Sequence, residues 1–164
     1  MKKLTTIVAL ALFISAGAFA DPGKKTGDPK SESKVTEKVK AAFEKKFNGA
    51  VEVSWSKASD FYFADFKLKE NNFSAAYNET GDLVGMSRKI YFSQLPFAAQ
   101  QALQEKFPDY NISIVGTEIF FEEQTNYYLA AENNAKLLKI KCSPAGDITI
   151  EKTTRKKKLV GTVY

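Results

Sequence analysis

The chain contains no histidine and a single cysteine, and past its first twenty residues it has no long apolar run. Each absence excludes a class of function. Without histidine there is no Ser-His-Asp or Cys-His nucleophilic machinery, no usual zinc site, and none of the commonest general base. One cysteine cannot close an internal disulfide. It stands in Leu137-Leu138-Lys139-Ile140-Lys141-Cys142, where Leu138, Ile140 and Cys142 share one face of a strand and the lysines the other. That pattern predicts a buried structural thiol rather than a reactive one. No phosphate-cradling glycine loop and no dinucleotide fingerprint occurs. Carboxylate pairs such as Glu122-Glu123 remain, but adjacent strand residues face opposite ways. No catalytic, cofactor-binding or metal-binding residue is therefore assigned.

What is present begins with export. Met1-Lys2-Lys3, an apolar run and then Ala18-Phe19-Ala20 are the three parts of a secretory signal, expected to be cleaved after Ala20. Residues 21–33 are rich in Gly, Pro, Lys and Ser and predict a disordered leader. No later segment is apolar enough for stable membrane insertion, so a periplasmic or secreted chain is expected. Lys2 and Lys3 leave with the signal, taking the formal charge of +5 to about +3, too mild to suggest nucleic acid as partner. The basic run Arg155-Lys156-Lys157-Lys158 reads as a solvated tail, and residues 159–164 could extend a sheet edge.

Between leader and tail, residues 34–164 read as one domain containing two similar halves, about 34–92 and 93–152. In the first, Val35, Val39, Ala42, Phe43 and Phe47 recur at helical spacing, and Asn48-Gly49 ends the helix. Val51, Val53 and Trp55 then alternate as one face of a strand. Strands at 61–69, 73–77 and 83–91 follow, turned by Asn71-Asn72 and Gly81-Asp82. In the second half, Ser93 is a candidate cap for a helix over 95–106, with Pro96 in its first turn and Pro108 ending it. Strands at 112–121, 127–131, 136–142 and 148–152 follow, turned by Glu132-Asn133-Asn134 and Gly146-Asp147. The Lys-Phe helix end, the Glu-Asn-Asn turn and the Gly-Asp turn recur in order, which favours duplication. Out-of-phase apolar residues at Ile112 and Ile114 predict that the Pro108-Asp109-Tyr110 turn is one residue longer than Asn48-Gly49-Ala50.

This layout resembles the PepSY-like, or beta-lactamase-inhibitor-like (BLIP-like), exported proteins over residues 35–152. The matching residues are Phe43, Phe47, Val51, Val53, Trp55, Ala64, Phe66, Tyr77 and Gly81, then Leu95, Pro96, Leu103, Phe107, Pro108, Tyr110 and Gly146. The resemblance implies an α+β fold in which two tandem α-β4 units form one curved antiparallel sheet with the helices packed on one face. It also implies a non-enzymatic envelope protein, since the inhibitor in the family label grips its target enzyme with an open sheet face. This chain lacks cysteine pairs to form disulfides, and inhibition is not carried over.

Surplus aromatics mark a candidate face. Tyr62, Ala64, Phe66 and Leu68 make a core stripe, which leaves Phe61 and Phe63 on the other side with Asp65 and Lys67. Phe120-Phe121 and Tyr127-Tyr128 likewise put an aromatic on each side. Phe61, Phe63, Phe120 and Tyr127 form the expected binding face, because large rigid rings lose little entropy on binding. A bulge, a covering terminal segment or a homodimer contact would bury them instead. The leading expectation is a non-catalytic binding protein that engages, and could inhibit, an envelope protein. The alternatives are a carrier or sensor of a small apolar ligand, which needs an enclosed pocket lined by Phe61, Phe63 or Phe120, and a carboxylate-only hydrolase.

Overall fold

The computed structural model describes residues 35–156. The expected signal (1–20), the leader (21–33) and the edge segment at 159–164 lie outside the described residues. The fold is α+β. Helix α1 (Glu37–Lys46) precedes β1 (Val51–Ala58), β2 (Phe61–Leu68), β3 (Asn71–Asn78) and β4 (Leu83–Tyr91). A 3-10 turn (Phe92–Gln94) leads to α2 (Phe97–Lys106), β5 (Asn111–Ile112), β6 (Val115–Phe121), β7 (Gln124–Glu132), β8 (Lys136–Cys142) and β9 (Ile148–Arg155). The strands form one antiparallel sheet in the order β1-β2-β3-β4-β6-β7-β8-β9, with β5 pairing β7. Two compact units result. One runs to Lys89 and takes in Ile119–Gln124; the other comprises Ile90–Glu118 and the chain from Thr125.

In the first unit, Thr36 caps α1, its Oγ1 accepting the Val39 N–H at 3.4 Å. Val35, Val39, Phe43 and Phe47 pack on Tyr62, Ala64, Phe66, Ala75 and Tyr77, the helix-facing residues of β2 and β3. Phe43 is the hub, with ring centroids 5.0 Å from Phe66, 5.2 Å from Trp55 and 5.4 Å from Phe47. Burial of each such side chain stabilises by roughly 1.5–3 kcal/mol. In the second unit, Leu95, Ala99, Leu103 and Phe107 pack on Tyr127, Leu129, Ala131, Leu138, Ile140 and Cys142. Cys142 is fully buried and shares its face with Leu138 and Ile140, as its strand pattern indicated.

The two units use the same joints. Each helix ends where a Phe amide donates back four residues, Phe47 to Phe43 O at 2.8 Å and Phe107 to Leu103 O at 3.1 Å. Each connection then closes three residues on, Ala50 N–H to Phe47 O and Tyr110 N–H to Phe107 O. Each Gly-Asp hairpin loop leans on its own helix. A Cβ at Gly81 would lie 3.1 Å from Lys38 O, and one at Gly146 2.9 Å from Ala98 O and 3.0 Å from the Ala102 Cβ. Both glycines have left-handed φ, +87° and +94°, so the loops need glycine for both space and conformation.

Several expectations are corrected. The connection after α2 is not longer than that after α1. The phase difference is absorbed instead by a bulge in β1, where Val51 pairs Lys67 but Ser54 pairs Asp65, and Glu52 adopts a left-handed, positive φ. The bulge turns Val51 to the side of Lys67, away from Trp55. The first Glu-Asn-Asn turn is centred on Lys69-Glu70, with Lys69 also at positive φ, while Asn71-Asn72 already belong to β3. The strand expected over 112–121 breaks at Ser113-Ile114. Ser93 does not cap α2, which starts after Pro96; Gln94 instead accepts the Tyr91 N–H at 2.9 Å. Glu122-Glu123 form the β6–β7 turn, both at positive φ, rather than two faces of a strand.

Candidate binding face

The face of the first unit turned away from α1 follows from register. Tyr62, Ala64 and Phe66 take the helix side, so Phe61, Phe63, Asp65 and Lys67 take the other. Cross-strand pairing builds rows along it. Ser56, Phe63, Ala76 and Gly85 are successive partners across β1 to β4, and Ser54, Asp65, Ser74 and Ser87 make the next row. Ala58, Phe61 and Asn78 make a third. Both phenylalanines therefore stand among Ser, Ala, Gly and Asn. The rings are held on a strand rather than on a loop. Phe61 and Phe63 are half-buried, and Ala76, beside Phe63, is fully buried.

The structure brings Phe61 and Phe63 together but separates the other two candidates. Tyr127 is 6% exposed and lies in the core against α2 with Leu129 and Ala131. It is Tyr128, pairing with Lys141, that faces the other way. Phe120 is exposed, but it stands on β6, outside the rows of β1 to β4. It alternates with Gly116, where a Cβ would strike the Leu129 side chain at 2.9 Å. Phe120 thus shares the strand face that Gly116 turns to Leu129. Within the candidate set, Phe61 and Phe63 form the patch.

On the opposite, helix side of the same strands, charge is paired at the end of the sheet. Lys57 Nζ donates to Glu79 Oε1 at 3.0 Å and Tyr62 Oη at 3.3 Å, and sits 4.8 Å from the Tyr62 ring centroid. The Glu79 and then the Tyr62 hydrogen bond hold the Lys57 pKa above its usual value. The adjacent loop is locked by Asn78 Oδ1, which accepts the Thr80 amide at 3.1 Å. The same oxygen accepts the Asp82 amide at 2.8 Å. Hydrogen bonds from Thr80 and then Asn78 lower the Asp82 pKa. These contacts fix the end of the β1–β2 hairpin beside Phe61.

The corresponding rows of the second unit differ. Tyr128, Lys141 and Thr149 are partners across β7 to β9, followed by Ala130, Lys139 and Lys152. That face is rich in lysine where the first carries phenylalanine.

No protein-family model and no curated protein matches the chain. Solved structures do match. A BLIP-like protein from Bacteroides fragilis aligns with a TM-score of 0.64 at 15% identity, over 77% of this chain and 91% of its own. The fold is BLIP-like. DUF2874 family proteins from Bacteroides uniformis and Bacteroides ovatus give TM-scores of 0.62 and 0.64 at 19% and 17% identity. They cover 73% and 79% of this chain and 88% and 95% of theirs. A Bacteroides eggerthii protein, described as a presumed periplasmic protein, gives 0.63 at 18%, over 75% of this chain and 90% of its own. The resemblance drawn from the helix ends, Val-x-Val-x-Trp and the Gly-Asp loops holds at the level of fold, and identities this low carry the fold alone.

Two hollows of the BLIP-like fold bear on the ligand-carrier alternative. One, about 290 Å³, lies in the first unit along β1 and is lined by Phe43, Phe47, Val53 and Trp55 among others. The other, about 740 Å³, lies in the second unit among Phe92, Phe107, Tyr110, Ile112 and Ile114. Phe61, Phe63 and Phe120 line neither. Among the described residues, no helix is long and apolar enough to cross a membrane, and no three His, Cys, Asp or Glu side chains gather as a metal site.

Proposed function

We propose that the chain is an exported, periplasmic, non-catalytic binding protein built of two repeats, which engages an envelope protein through the face of its first unit around Phe61 and Phe63. The observation that carries this reading is the row Ser56–Phe63–Ala76–Gly85 beside Phe61: two half-buried aromatic rings on one face of a paired strand, with Ser, Ala and Gly as their cross-strand neighbours. Such a surface suits a partner that offers an apolar protrusion ringed by hydrogen-bonding groups, for which Ser54, Ser56 and Ser74 supply complements. The BLIP-like neighbours support a binding role over a catalytic one, and the B. eggerthii description supports the periplasm.

The test is affinity capture from an envelope extract with the mature protein and with a Phe61→Ala/Phe63→Ala variant, both shown to be folded by circular dichroism. A partner retained by the parent and lost by the variant is expected. Equal capture by both would sink the aromatic-face reading.

A further inference from the structure

Charge is unevenly placed on the folded chain. Residues 35–156 carry sixteen basic and sixteen acidic side chains, so this body is neutral as a whole. Strands β8 and β9 are not neutral: they hold Lys136, Lys139, Lys141, Lys152 and Arg155 against Glu151 alone. Register concentrates these charges further. Lys136 is the cross-strand partner of Arg155 and Lys139 of Lys152, and no basic residue of either strand is set opposite a carboxylate. Cross-strand partners have Cβ atoms about 5 Å apart, and like charges so placed repel. Glu151 stands at the bulge between Ile150 and Lys152, without a register partner of its own. Among the described residues, no carboxylate forms an ion pair with Lys136, Lys141, Lys152 or Arg155.

The cations lie on both sides of the two strands. Lys139, Lys141 and Lys152 share the face of Tyr128, turned away from α2, whereas Lys136 and Arg155 follow the phase of Leu138. Lys136, Lys152 and Arg155 are exposed, as is nearly the whole of β9. That strand is the last in the sheet order, and among the described residues no strand pairs its outer edge, so its outward N–H groups are open as well. A pocket for one small anion needs cations that converge on a point. Here they flank an edge from both sides, which suits an extended plane of negative charge. Lysine meets phosphate as a compact point charge, without the planar geometry that a bidentate arginine contact demands.

We propose that the β8–β9 edge docks the protein on a membrane surface that bears anionic phospholipid, with the cations of both strands among the phosphate headgroups. The contact is peripheral and electrostatic and needs no inserted helix. It uses no residue of the first unit, so it stands or falls separately from the binding face around Phe61 and Phe63.

Co-sedimentation of the mature protein with vesicles of equal parts phosphatidylglycerol and phosphatidylcholine tests this, against vesicles of phosphatidylcholine alone. The parent should bind the first and not the second, and binding should fall steeply as salt rises. Each basic side chain near an anionic bilayer is worth about a fivefold change in partition. The variant Lys136→Gln/Lys141→Gln/Lys152→Gln/Arg155→Gln should therefore bind at least about a hundredfold more weakly, with a thermal melt no lower than the parent's. A control takes the same number of charges from α1, as Lys38→Gln/Lys40→Gln/Lys45→Gln/Lys46→Gln, and should lose about tenfold at most, because salt screens charges away from the contact. No binding by the parent, or equal binding to both kinds of vesicle, would overturn the proposal. Equal losses in the two variants would also overturn it, since net charge alone would then account for binding. So would a loss confined to Lys157→Gln/Lys158→Gln, which would put the contact beyond β9. Should the fourfold variant fail to fold, Lys152→Gln/Arg155→Gln, two exposed side chains of the edge strand, decides by a loss of at least about tenfold.

Discussion

Tyr77 offers the sharpest energetic test of the first-unit core. Its side chain is 1% exposed, and its hydroxyl finds no hydrogen-bond partner among the described residues. Burial pushes its pKa up to about 12. An orphaned buried hydroxyl costs about 1–3 kcal/mol, part of which a Tyr77→Phe change returns, so the variant should be more stable by about 1 kcal/mol at neutral pH. The pH dependence has a definite sign. The folded state holds the phenolic proton more tightly than the unfolded chain, whose Tyr titrates near 10. The contribution is therefore complete below pH 10 and is lost as pH rises toward 12. Two pH units correspond to about 2.7 kcal/mol, so the advantage of the Phe variant should widen to about 3–4 kcal/mol at the alkaline end. Burial, and then Glu151, also raise the Tyr128 pKa, but that change is common to parent and variant and cancels in the difference. Urea unfolding followed by Trp55 fluorescence is the assay. The indole is the chain's only tryptophan and lies 6.3 Å from the Tyr77 ring. A less stable Phe variant at neutral pH, or a difference that stays flat from mildly to strongly alkaline pH, would refute the reasoning.

Two further outcomes are expected. Gly146→Ala should destabilise by about 2–4 kcal/mol, combining left-handed φ with contact against Ala98 O and the Ala102 Cβ. Gly81→Ala, with its nearest contact at 3.1 Å, should cost less, and equal costs in calorimetry would show that the loops do not bear on their helices. Cys142, fully buried and with its thiol pKa raised by burial and then by Asp147, should react with an aromatic disulfide reagent only as fast as the unit opens. Rapid labelling without urea would contradict its place in the core.

What could be read from the residues follows from which forces leave a periodic trace. Helix stripes and core faces of strands do, and Val39, Phe43, Leu103, Tyr62, Phe66, Ile140 and Cys142 lie where spacing puts them. Local backbone choices leave less. Asn71-Asn72 is a good turn pair by propensity, yet the hairpin turns one step earlier, because pairing Phe66 with Phe73 fixes Leu68 opposite Asn71. The bulge at Glu52 hides inside an intact Val-x-Val-x-Trp alternation, since an extra residue in a strand changes its partners without changing its composition. Tyr127-Tyr128 carries no phase of its own, and the adjoining Leu129 and Ala131 decide that Tyr127 goes inward. For Phe120 a signal did exist. Glycine inside a strand marks close backbone approach, and counting from Gly116 would have set the phase of β6.

The same reasoning explains how two units with common joints present different surfaces. The helix end, the connection and the Gly-Asp loop involve backbone bonds and close approaches, which admit few residues. Alternate strand positions feed the core and are held to apolar types of fitting volume. The remaining positions answer to neither demand, and there the units part company: Ser56, Phe63, Ala76 and Gly85 in the first, Ala130, Lys139 and Lys152 in the second. A lysine-bearing exterior near the terminal strand β9 also discourages another strand from adding to that edge. Of the two faces, the first is the one on which the proposed binding surface lies.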